Sequence, residues 1–450
     1  MRTSGPIEPA DLSALSAPPE LRLPRVLQEF RFNQRQIQFV FQAKRRLGDV
    51  VRLRGAIGQP GAVMINAPDD VRSLFTAKPE QLSTFSAALV KQVVGSDSIL
   101  TSTGARFMRQ RKLLLPNFHG TAVQQYMEIV TDATERELGT WPLNRPFPLA
   151  PRLQAIALDV ILAGIFGIRG KPSSGSSEAE LRAAIIRMVG ALSRPLYLLN
   201  GLISRNREDP NRLTRSVLEA VDRPLYRVIE ERRTESDRGD ILALLVRAKT
   251  EQGEVMSDKE LRDELISLLL AGHETTANSL AWTWERLVRY PDAYQELRDV
   301  VRDDGGDLWV DAAIIEGMRC RPVVPMLGRT VNIPWQFGLY GVPASTQILI
   351  SALLLHHRED LYPAPFHFRP QRWLDVKPHT YEWIPFGGGF RRCLGSALAM
   401  AEQRIILEKM ARSLDLEPDD AAPERAVHRI GTMIPARGAR VIVRSRHSIS

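Results

Sequence analysis

The sequence predicts a mainly α-helical protein with small β-sheets. Helical periodicity dominates from Pro68 onward, strand-like runs lie near the beginning and in the last third of the chain, and strands do not alternate with helices. The 450 residues are 44% hydrophobic and 25% charged, as in ordinary soluble globular proteins. We therefore predict a polar lead-in segment over residues 1–25 and a single domain over residues 26–450.

The composition excludes several classes of protein. Two cysteines, Cys320 and Cys393, cannot form a disulfide scaffold, so we expect a reduced cytoplasmic setting. Residues 1–24 contain no apolar core, and the apolar runs, such as Ile348–Leu355, are shorter than the ~20 residues that span a bilayer, so we expect a soluble protein without a transmembrane anchor. The net charge of +8 permits an acidic partner, but no basic-aromatic motif or zinc-finger spacing predicts nucleic acid binding.

The elements follow one another in a mixed order. Two strand-like runs, Val50–Arg54 and Ala62–Ile65, are separated by glycine and proline and favour a hairpin. Helical periodicity then covers residues 105–115, 121–140, 152–168, 178–200 and 212–234. Two later strand-rich stretches cover Thr330–Leu353 and Val427–Val443. Strands at both ends of a large helical middle fit one helical domain better than a βαβ fold.

The best-defined predicted element is a long helix. Ser257 followed by Glu260 fits a capping box, and apolar residues continue until Pro291 stops the run. About 32 residues form a rod of roughly 48 Å, which must pass through the core. Its middle, Ala271-Gly272-His273-Glu274-Thr275-Thr276, is polar, and Gly272 costs about 1 kcal/mol there relative to alanine. This pattern indicates either a harmless kink or a site where the backbone meets a bulky ligand and Glu274 and Thr275 offer protons.

A glycine-rich loop around one cysteine is the most informative segment. It reads Phe386-Gly387-Gly388-Gly389-Phe390-Arg391-Arg392-Cys393-Leu394-Gly395, and residues 397–414 after it are predicted to be helical. The glycines free the backbone to pack against a flat object, while nearby N–H groups, arginines and a helix N-terminus are expected to lower the pKa of the Cys393 thiol. Zinc is disfavoured because no second Cys or His lies at zinc-site spacing. A lone thiolate suits an iron porphyrin, where one axial ligand suffices.

These residues resemble a known family. Phe386-x-x-Gly389-x-Arg391-x-Cys393-x-Gly395 matches the haem-binding loop of the cytochrome P-450 monooxygenases at every fixed position. Three further segments resemble the family in chain order: Ala271-Gly272-x-Glu274-Thr275, Glu316-x-x-Arg319, and Phe368–Trp373, which contains Arg372. The chain has Gln371 and Trp373 where the family usually has Glu and Phe. The resemblance spans roughly residues 25 to 445.

The resemblance implies a fold and a set of site residues. The long helix would lie over haem b, with the cysteine loop beneath it and Cys393 as the iron ligand. It further implies that Glu274 and Thr275 are catalytic and that Glu316, Arg319 and Arg372 form a structural cluster. The other residues expected to bind the cofactor are Arg111, Ala271, Gly272, Arg329, Phe386, Gly387, Arg391 and Gly395. Among these, Arg111, Arg329 and Arg391 would bind the propionates; Phe107 stands where family members commonly have Trp or His, and it cannot form a hydrogen bond.

The resemblance also implies a reaction. Dioxygen would be the co-substrate, and one of its oxygen atoms would hydroxylate or epoxidise a lipophilic small molecule such as a fatty acid, terpenoid, steroid or polyketide. The expected pocket walls are Leu82–Leu100, Met188–Leu202, Leu268 with Ala271, Val323–Leu327 and the turn Thr432–Ile434. Electrons would come from a separate ferredoxin or flavodoxin with its NAD(P)H-dependent reductase. A basic patch of Arg109, Arg111, Lys112, Arg391 and Arg392 would attract that acidic partner.

Other interpretations of the same loop stay open. A haem-thiolate isomerase or peroxygenase would need no electron donor, although the Glu274-Thr275 pair argues against it, and a non-catalytic haem ligand sensor is a third possibility. Cys320 is expected to be an ordinary buried thiol, and His273 is expected to face away from the haem. His356 and His357 are expected to cap or pair locally, with a propionate contact left open.

Overall fold

The computed structural model describes residues 9–55, 61–85, 88–118, 120–192, 209–235, 238–249, 253–303, 306–429 and 431–447. Its α-helices are α1 (Arg25–Gln34), α2 (Gln36–Leu47), α3 (Pro68–Phe75), α4 (Ala88–Val94), α5 (Gly104–Leu114), α6 (Thr121–Leu138), α7 (Leu149–Phe166), α8 (Ser177–Leu192), α9 (Arg212–Thr234), α10 (Ile241–Arg247), α11 (Asp258–Leu287), α12 (Pro291–Arg302), α13 (Asp307–Cys320), α14 (Ala352–Leu355) and α15 (Ser396–Ser413).

In the part of the chain that the structure describes, the strands form four small sheets. They are β1 (Val50–Leu53), β2 (Ala62–Ile65), β3 (Leu82–Thr84), β4 (Phe147–Pro148), β5 (Met326–Val331), β6 (Trp335–Phe337), β7 (Tyr340–Val342), β8 (Gln347–Ser351), β9 (Leu414–Pro418), β10 (Ala426–Arg429), β11 (Thr432–Pro435) and β12 (Arg440–Arg446). The largest sheet has the order β1-β2-β8-β5-β3, and β4-β12-β9 form a second. The pairs β6–β7 and β10–β11 are antiparallel ribbons, and β2–β8 is a parallel pair.

The long helix is confirmed at both ends. Ser257 caps α11: its hydroxyl accepts from the Glu260 N–H, while the Glu260 carboxylate accepts from the Ser257 N–H. The helix runs for 30 residues and ends before Pro291, which starts α12. It packs against α7, α13 and α15, and most of its residues are buried. This helix therefore crosses the core, as predicted.

The predicted hairpin and most of the predicted helices are also confirmed, with boundary shifts of a few residues. β1 and β2 pair antiparallel. The helices α5, α6, α7 and α9 lie where helical runs were expected. Of the helix expected over 178–200, α8 covers the first part, and residues 193–200 lie outside the described residues. The sequence prediction missed β3, β4 and β9. These strands have two to five residues, and they form by pairing with β5 and β12, which lie elsewhere in the sequence.

The apolar helix α7, with 18 residues, is longer than the apolar runs considered in the sequence analysis. Among the described residues, α7 is the one helix whose length and composition would allow it to cross a membrane. Two-thirds of it (67%) is buried within the protein, where it packs against α6 and α11. In this structure α7 is a core helix.

The described part of the lead-in makes backbone contacts with the sheets. The Ala10 N–H donates to the Pro334 carbonyl at 3.1 Å, and the Arg52 N–H donates to the Pro19 carbonyl at 2.9 Å. The Gly341 N–H donates to the Ser16 carbonyl at 2.9 Å. Residues 9–24 are thus tied to β1 and the β6–β7 ribbon.

Two apolar clusters flank α11 and place the cysteine loop. One contains residues of α7, α12, α13 and α15 together with the second half of α11. The other joins Leu265 and Leu269 of α11 to Phe107 of α5, with Phe390 and Leu394 of the cysteine loop packed against it. Residues in the first half of α11 and residues of the cysteine loop thus pack against the same apolar cluster.

Candidate active site

The cysteine loop is held by its own backbone. The Cys393 N–H donates to the Phe386 carbonyl at 2.9 Å, and the Gly387 N–H donates to the Ile384 carbonyl at 3.0 Å. A single 3₁₀ turn, Gly389–Arg391, follows, and α15 begins three residues after Cys393. The loop thus presents Cys393 at the N-terminal end of α15, and its side chain is exposed.

The glycines of the loop allow a close approach to α3. Gly387 and Gly389 have φ of 65° and 64°, a region that favours glycine. A Cβ on Gly388 would overlap the Phe75 ring of α3, and a Cβ on Gly389 would overlap the Phe75 carbonyl. Two of the three glycines therefore let the loop pack on α3, and the expected contact of the loop with a flat ligand stays a prediction. An added Cβ on Gly395, by contrast, meets no protein atom within 4 Å.

The pKa expected for the Cys393 thiol is wrong for the protein without a cofactor. Surrounding protein atoms raise the pKa above its usual value, although one side of the thiol stays accessible. A hydrogen bond from the Gly395 N–H and the charges of Arg111 and Arg392 act in the opposite direction but do not prevail. A bound metal ion would favour the thiolate here.

Three arginines converge beside this loop. Arg329 on β5 has its pKa lowered to about 10 because the protein removes most of its surrounding solvent. Desolvation and, to a smaller extent, the charges of Arg329 and Arg111 together lower the pKa of Arg391 to about 10. Arg111 on α5 donates to the Arg392 carbonyl at 2.8 Å. Like charges are therefore gathered in a poorly solvated place.

The surroundings of the three arginines test whether haem fits. Within the described residues, none of Arg111, Arg329 and Arg391 has a carboxylate at salt-bridge distance. The Arg391 Nε atom is buried without a hydrogen-bond acceptor. Clustered guanidinium groups of this kind require an anion, and the two carboxylates of a porphyrin beside an accessible cysteine meet that need. The residues present fit a haem.

Phe107 has a contact that the sequence prediction missed. The Arg391 guanidinium carbon lies 4.0 Å from the centroid of the Phe107 ring, and Nη2 of Arg391 donates to the Ser102 carbonyl at 2.5 Å. Phe107 also meets Phe390 edge-on at 5.9 Å. The phenyl ring thus orients Arg391 by a cation–π contact, although it cannot itself bind a carboxylate.

The middle of α11 is open at one residue. Ala271 is exposed although the helix on either side is largely buried. A Cβ on Gly272 would approach Cδ1 of Ile161 in α7 to 2.6 Å. The cofactor contact expected for Gly272 stays a prediction, because the feature that the structure explains at this glycine is the close approach of α11 to α7.

The two residues expected to be catalytic already have partners. Thr275 Oγ1 donates to the Ala271 carbonyl at 2.6 Å, and Glu274 forms an ion pair with Arg429 of β10. Asn278 Nδ2 donates to the Glu274 carbonyl at 2.8 Å. Nothing in the sequence around residue 429 indicated this arginine. The acid and the alcohol are adjacent, but both side chains must turn to serve a ligand beside Ala271.

The expected arginine–glutamate cluster is a dense set of contacts. Glu316 and Arg319 are both fully buried, and the two carboxylate oxygens of Glu316 each accept from Arg319 at 2.8 Å. Arg372 adds a contact at 3.2 Å, and the Trp373 indole N–H donates to Glu316 at 2.8 Å. Burial alone would raise the pKa of Glu316, but the arginines hold it below its usual value. Trp373 therefore contributes a donor that a phenylalanine at this position would lack.

The remaining histidines and cysteine are locally engaged. His356 Nε2 accepts from the Ile384 N–H at 2.8 Å, and burial lowers the pKa of His356 to about 3. His357 bonds the Leu353 carbonyl through Nδ1. His273 is buried and bonds the Leu269 carbonyl in the same way. Burial raises the pKa of Cys320 to about 11, as expected of an ordinary buried thiol.

Comparison with known proteins identifies the family. The family model described as cytochrome P-450 matches residues 17–443. The chain belongs to the cytochrome P-450 family. It is 37% identical over 445 residues to the protein named cytochrome P-450 138 of Mycobacterium tuberculosis, covering 97% of this chain and 99% of the relative. It is 32% identical to cytochrome P-450 137 of the same species, over 95% of this chain and 91% of the relative.

Solved structures confirm the predicted fold. The retinoic acid-bound cyanobacterial CYP120A1 matches with a TM-score of 0.80 at 22% identity, over 96% of this chain and all of the other. A cytochrome P-450DA haem domain matches with a TM-score of 0.80 at 20% identity, over 96% and 98% of the two chains. As a cytochrome P-450, the chain is an oxidoreductase of the monooxygenase class that uses haem and dioxygen.

Proposed function

We propose that this cytochrome P-450 holds haem b, receives electrons from a separate ferredoxin or flavodoxin served by an NAD(P)H-dependent reductase, and hydroxylates or epoxidises a lipophilic small molecule. Cys393 would bind the iron, and Arg111, Arg329 and Arg391 would bind the propionates. Once bound, a thiolate-ligated haem supplies the electron donation that favours cleavage of the dioxygen O–O bond. The observation that carries the proposal is the Glu274-Thr275 pair beside the exposed Ala271.

Glu274 and Thr275 would have different roles in proton transfer. The Thr275 hydroxyl is half-buried next to Ala271, so its Oγ1 holds a proton close to the open face of α11. The Glu274 side chain is 23% exposed, so it can take protons from solvent and pass them along the helix. These two positions support dioxygen activation rather than simple ligand storage.

The apolar character of the residues expected to line the pocket supports a lipophilic substrate. Of the residues expected to line the pocket, Leu268 of α11 and Leu327 of β5 are partly exposed, and Met188 and Met433 are buried. Thr432–Ile434 forms strand β11 rather than the expected turn. Residues 193–202 of the expected pocket wall lie outside the described residues.

The electron donor is proposed to bind on the side of the cysteine loop. Lys112 and Arg392 are exposed there, beside Arg111 and Arg391, and an acidic protein would be attracted to them. Arg109 would attract an acidic partner less than expected, because the Glu260 carboxylate offsets its charge. Its guanidinium donates to Glu260 at 2.9 Å and links α5 to the start of α11. We further propose that residues 26–450 act as one domain, with 1–25 as a lead-in segment, in the cytoplasm.

Replacement of Thr275 tests the reaction class. Thr275→Ala should lower product formed per electron pair by about tenfold or more, with peroxide released instead, because proton delivery is impaired. Spectral titration of the ferric protein with lipophilic compounds would first supply a substrate, and coupling would then be measured by oxygen, peroxide and product. Thr283→Ala is the matched control, since Thr283 makes the same hydrogen bond to the carbonyl four residues earlier, at 2.9 Å. Unchanged coupling in Thr275→Ala, or no oxygen consumption by the wild type with any donor, would refute monooxygenation.

A further inference from the structure

The ion pair between Glu274 and Arg429 joins the centre of α11 to a distant part of the chain. Arg429 ends β10, which is 155 residues from Glu274 in the sequence. The side chains are 22% and 23% exposed, so the pair is shielded from much of the solvent. Of the carboxylates in the described residues, Glu274 is the one within salt-bridge distance of Arg429. This contact belongs to neither the cysteine loop nor the arginine–glutamate cluster.

The β10–β11 ribbon that carries Arg429 is fixed to α11 at a second point. The indole N–H of the buried Trp282 donates to the Met433 carbonyl at 3.0 Å, and the Met433 N–H donates to the Val323 carbonyl at 2.7 Å. Within the ribbon, Thr432 Oγ1 donates to the Arg429 carbonyl at 2.7 Å. Trp282 lies two turns beyond Glu274 on the same helix. Arg429 faces Thr432 in the ribbon register and Met433 is the next residue along, so the Trp282 bond and the ion pair both fix the turn end of the ribbon to α11.

Among the described residues, few polar or titratable groups near the pair could form an alternative ion pair with Glu274 or Arg429. The polar neighbours on α11 are Asn278, which donates to the Glu274 carbonyl, and His273, whose ring is buried and bonded to Leu269. His428, next to Arg429, is half-buried in contact with Phe32 of α1. Neither histidine makes an ion pair in the described residues. The arginine is thus the group that determines where the Glu274 carboxylate points.

We propose that Arg429 is a positioning residue that holds Glu274 away from the proton path until the β10–β11 ribbon is displaced by substrate. The inference rests on the proposed function, in which Glu274 supplies protons, and on the expectation from the sequence that Thr432–Ile434 borders the substrate. While the pair is closed, the carboxylate is turned to the ribbon. When a substrate contacts the ribbon, the pair opens and Glu274 can take a proton from solvent and pass it to Thr275.

The proposal predicts a specific defect in an Arg429 variant. Arg429→Gln should raise oxygen consumption in the absence of substrate several-fold, because Glu274 is no longer restrained, and Arg429→Lys should restore most of the restraint. In the Glu274→Gln background, Arg429→Gln should have no further effect. Arg440→Gln is the matched control, since Arg440 also pairs with a partly exposed carboxylate, Asp419, at 2.6 Å near the C-terminus.

A second readout needs no catalysis. In the ferric protein without an electron donor, hydrogen–deuterium exchange of the β10–β11 ribbon should increase to the same extent in Arg429→Gln, in Glu274→Gln and in the double variant. Equal increases support the proposal. Additive increases, or a rise in oxygen consumption that persists in the Glu274→Gln background, would overturn it. Failure of the wild type to oxidise any substrate would instead refute the proposed function and leave the exchange result as an independent test of the ion pair.

Discussion

Glu402 on α15 illustrates how one buried carboxyl group affects stability. Burial raises its pKa from 4.5 to about 8, and one carboxylate oxygen has no hydrogen-bond partner. The folded protein therefore keeps a proton that the unfolded chain releases near pH 4.5. The contribution of protonated Glu402 to the free energy of unfolding is complete below pH 4.5, and it is lost as the pH rises through about 8.

Glu402→Gln keeps the shape of the protonated acid and removes the ionisation. It should raise the free energy of unfolding by about 1–3 kcal/mol at about pH 8 and change it little at about pH 5. Chemical unfolding at the two pH values measures the difference. Glu408→Gln is the control, because Glu408 lies on the same helix with its side chain 38% exposed. An equal effect of Glu402→Gln at both pH values would contradict the assigned cause.

At the level of single residues, the sequence predicted the key site residues but not the long-range contacts that some of them make. Cys393 and the Glu316–Arg319 pair are short local patterns, so they can be recognised without a structure. The contacts of Phe107 with Arg391 and of Glu274 with Arg429 join residues more than a hundred positions apart. Such pairs depend on how whole elements pack, which a local pattern does not encode.

Among the elements, the predictable ones carry strong local signals. The capping box of α11 fixed its start, and Pro291 limited its end. In contrast, β3 and β4 have three and two residues and exist because they pair with β5 and β12. Their formation depends on distant strands, so periodicity alone does not reveal them.

Glycines show the same division between local and long-range causes. A glycine-rich loop around Cys393 was evident, and its function was expected to be contact with a flat ligand. The structure adds that Gly388 and Gly389 allow Phe75 of α3 to pack against the loop, and that Gly272 allows Ile161 of α7 to approach α11. Sequence identifies where the backbone is free, but the packed neighbour decides what that freedom is used for.

At the scale of the whole molecule, charge distribution leads to a prediction about the electron donor. Lys112→Glu with Arg392→Glu should slow reduction by an acidic ferredoxin by about tenfold at low salt, and the difference should shrink at high salt. Stopped-flow reduction measures the rate. Arg46→Glu is the control, since Arg46 is exposed on α2, far along the chain from the cysteine loop. An equal effect of Arg46→Glu, or no effect of the double variant, would contradict the proposed docking side.

The most direct measurement is the carbon monoxide spectrum of the reduced, haem-loaded protein. The wild type and Cys320→Ser should both show the red-shifted Soret band of a thiolate-ligated haem, because Cys393 alone would bind the iron. Cys393→His should give the band of a histidine-ligated haem or lose haem altogether. A histidine-type band in the wild type, or loss of the thiolate band in Cys320→Ser, would contradict the account.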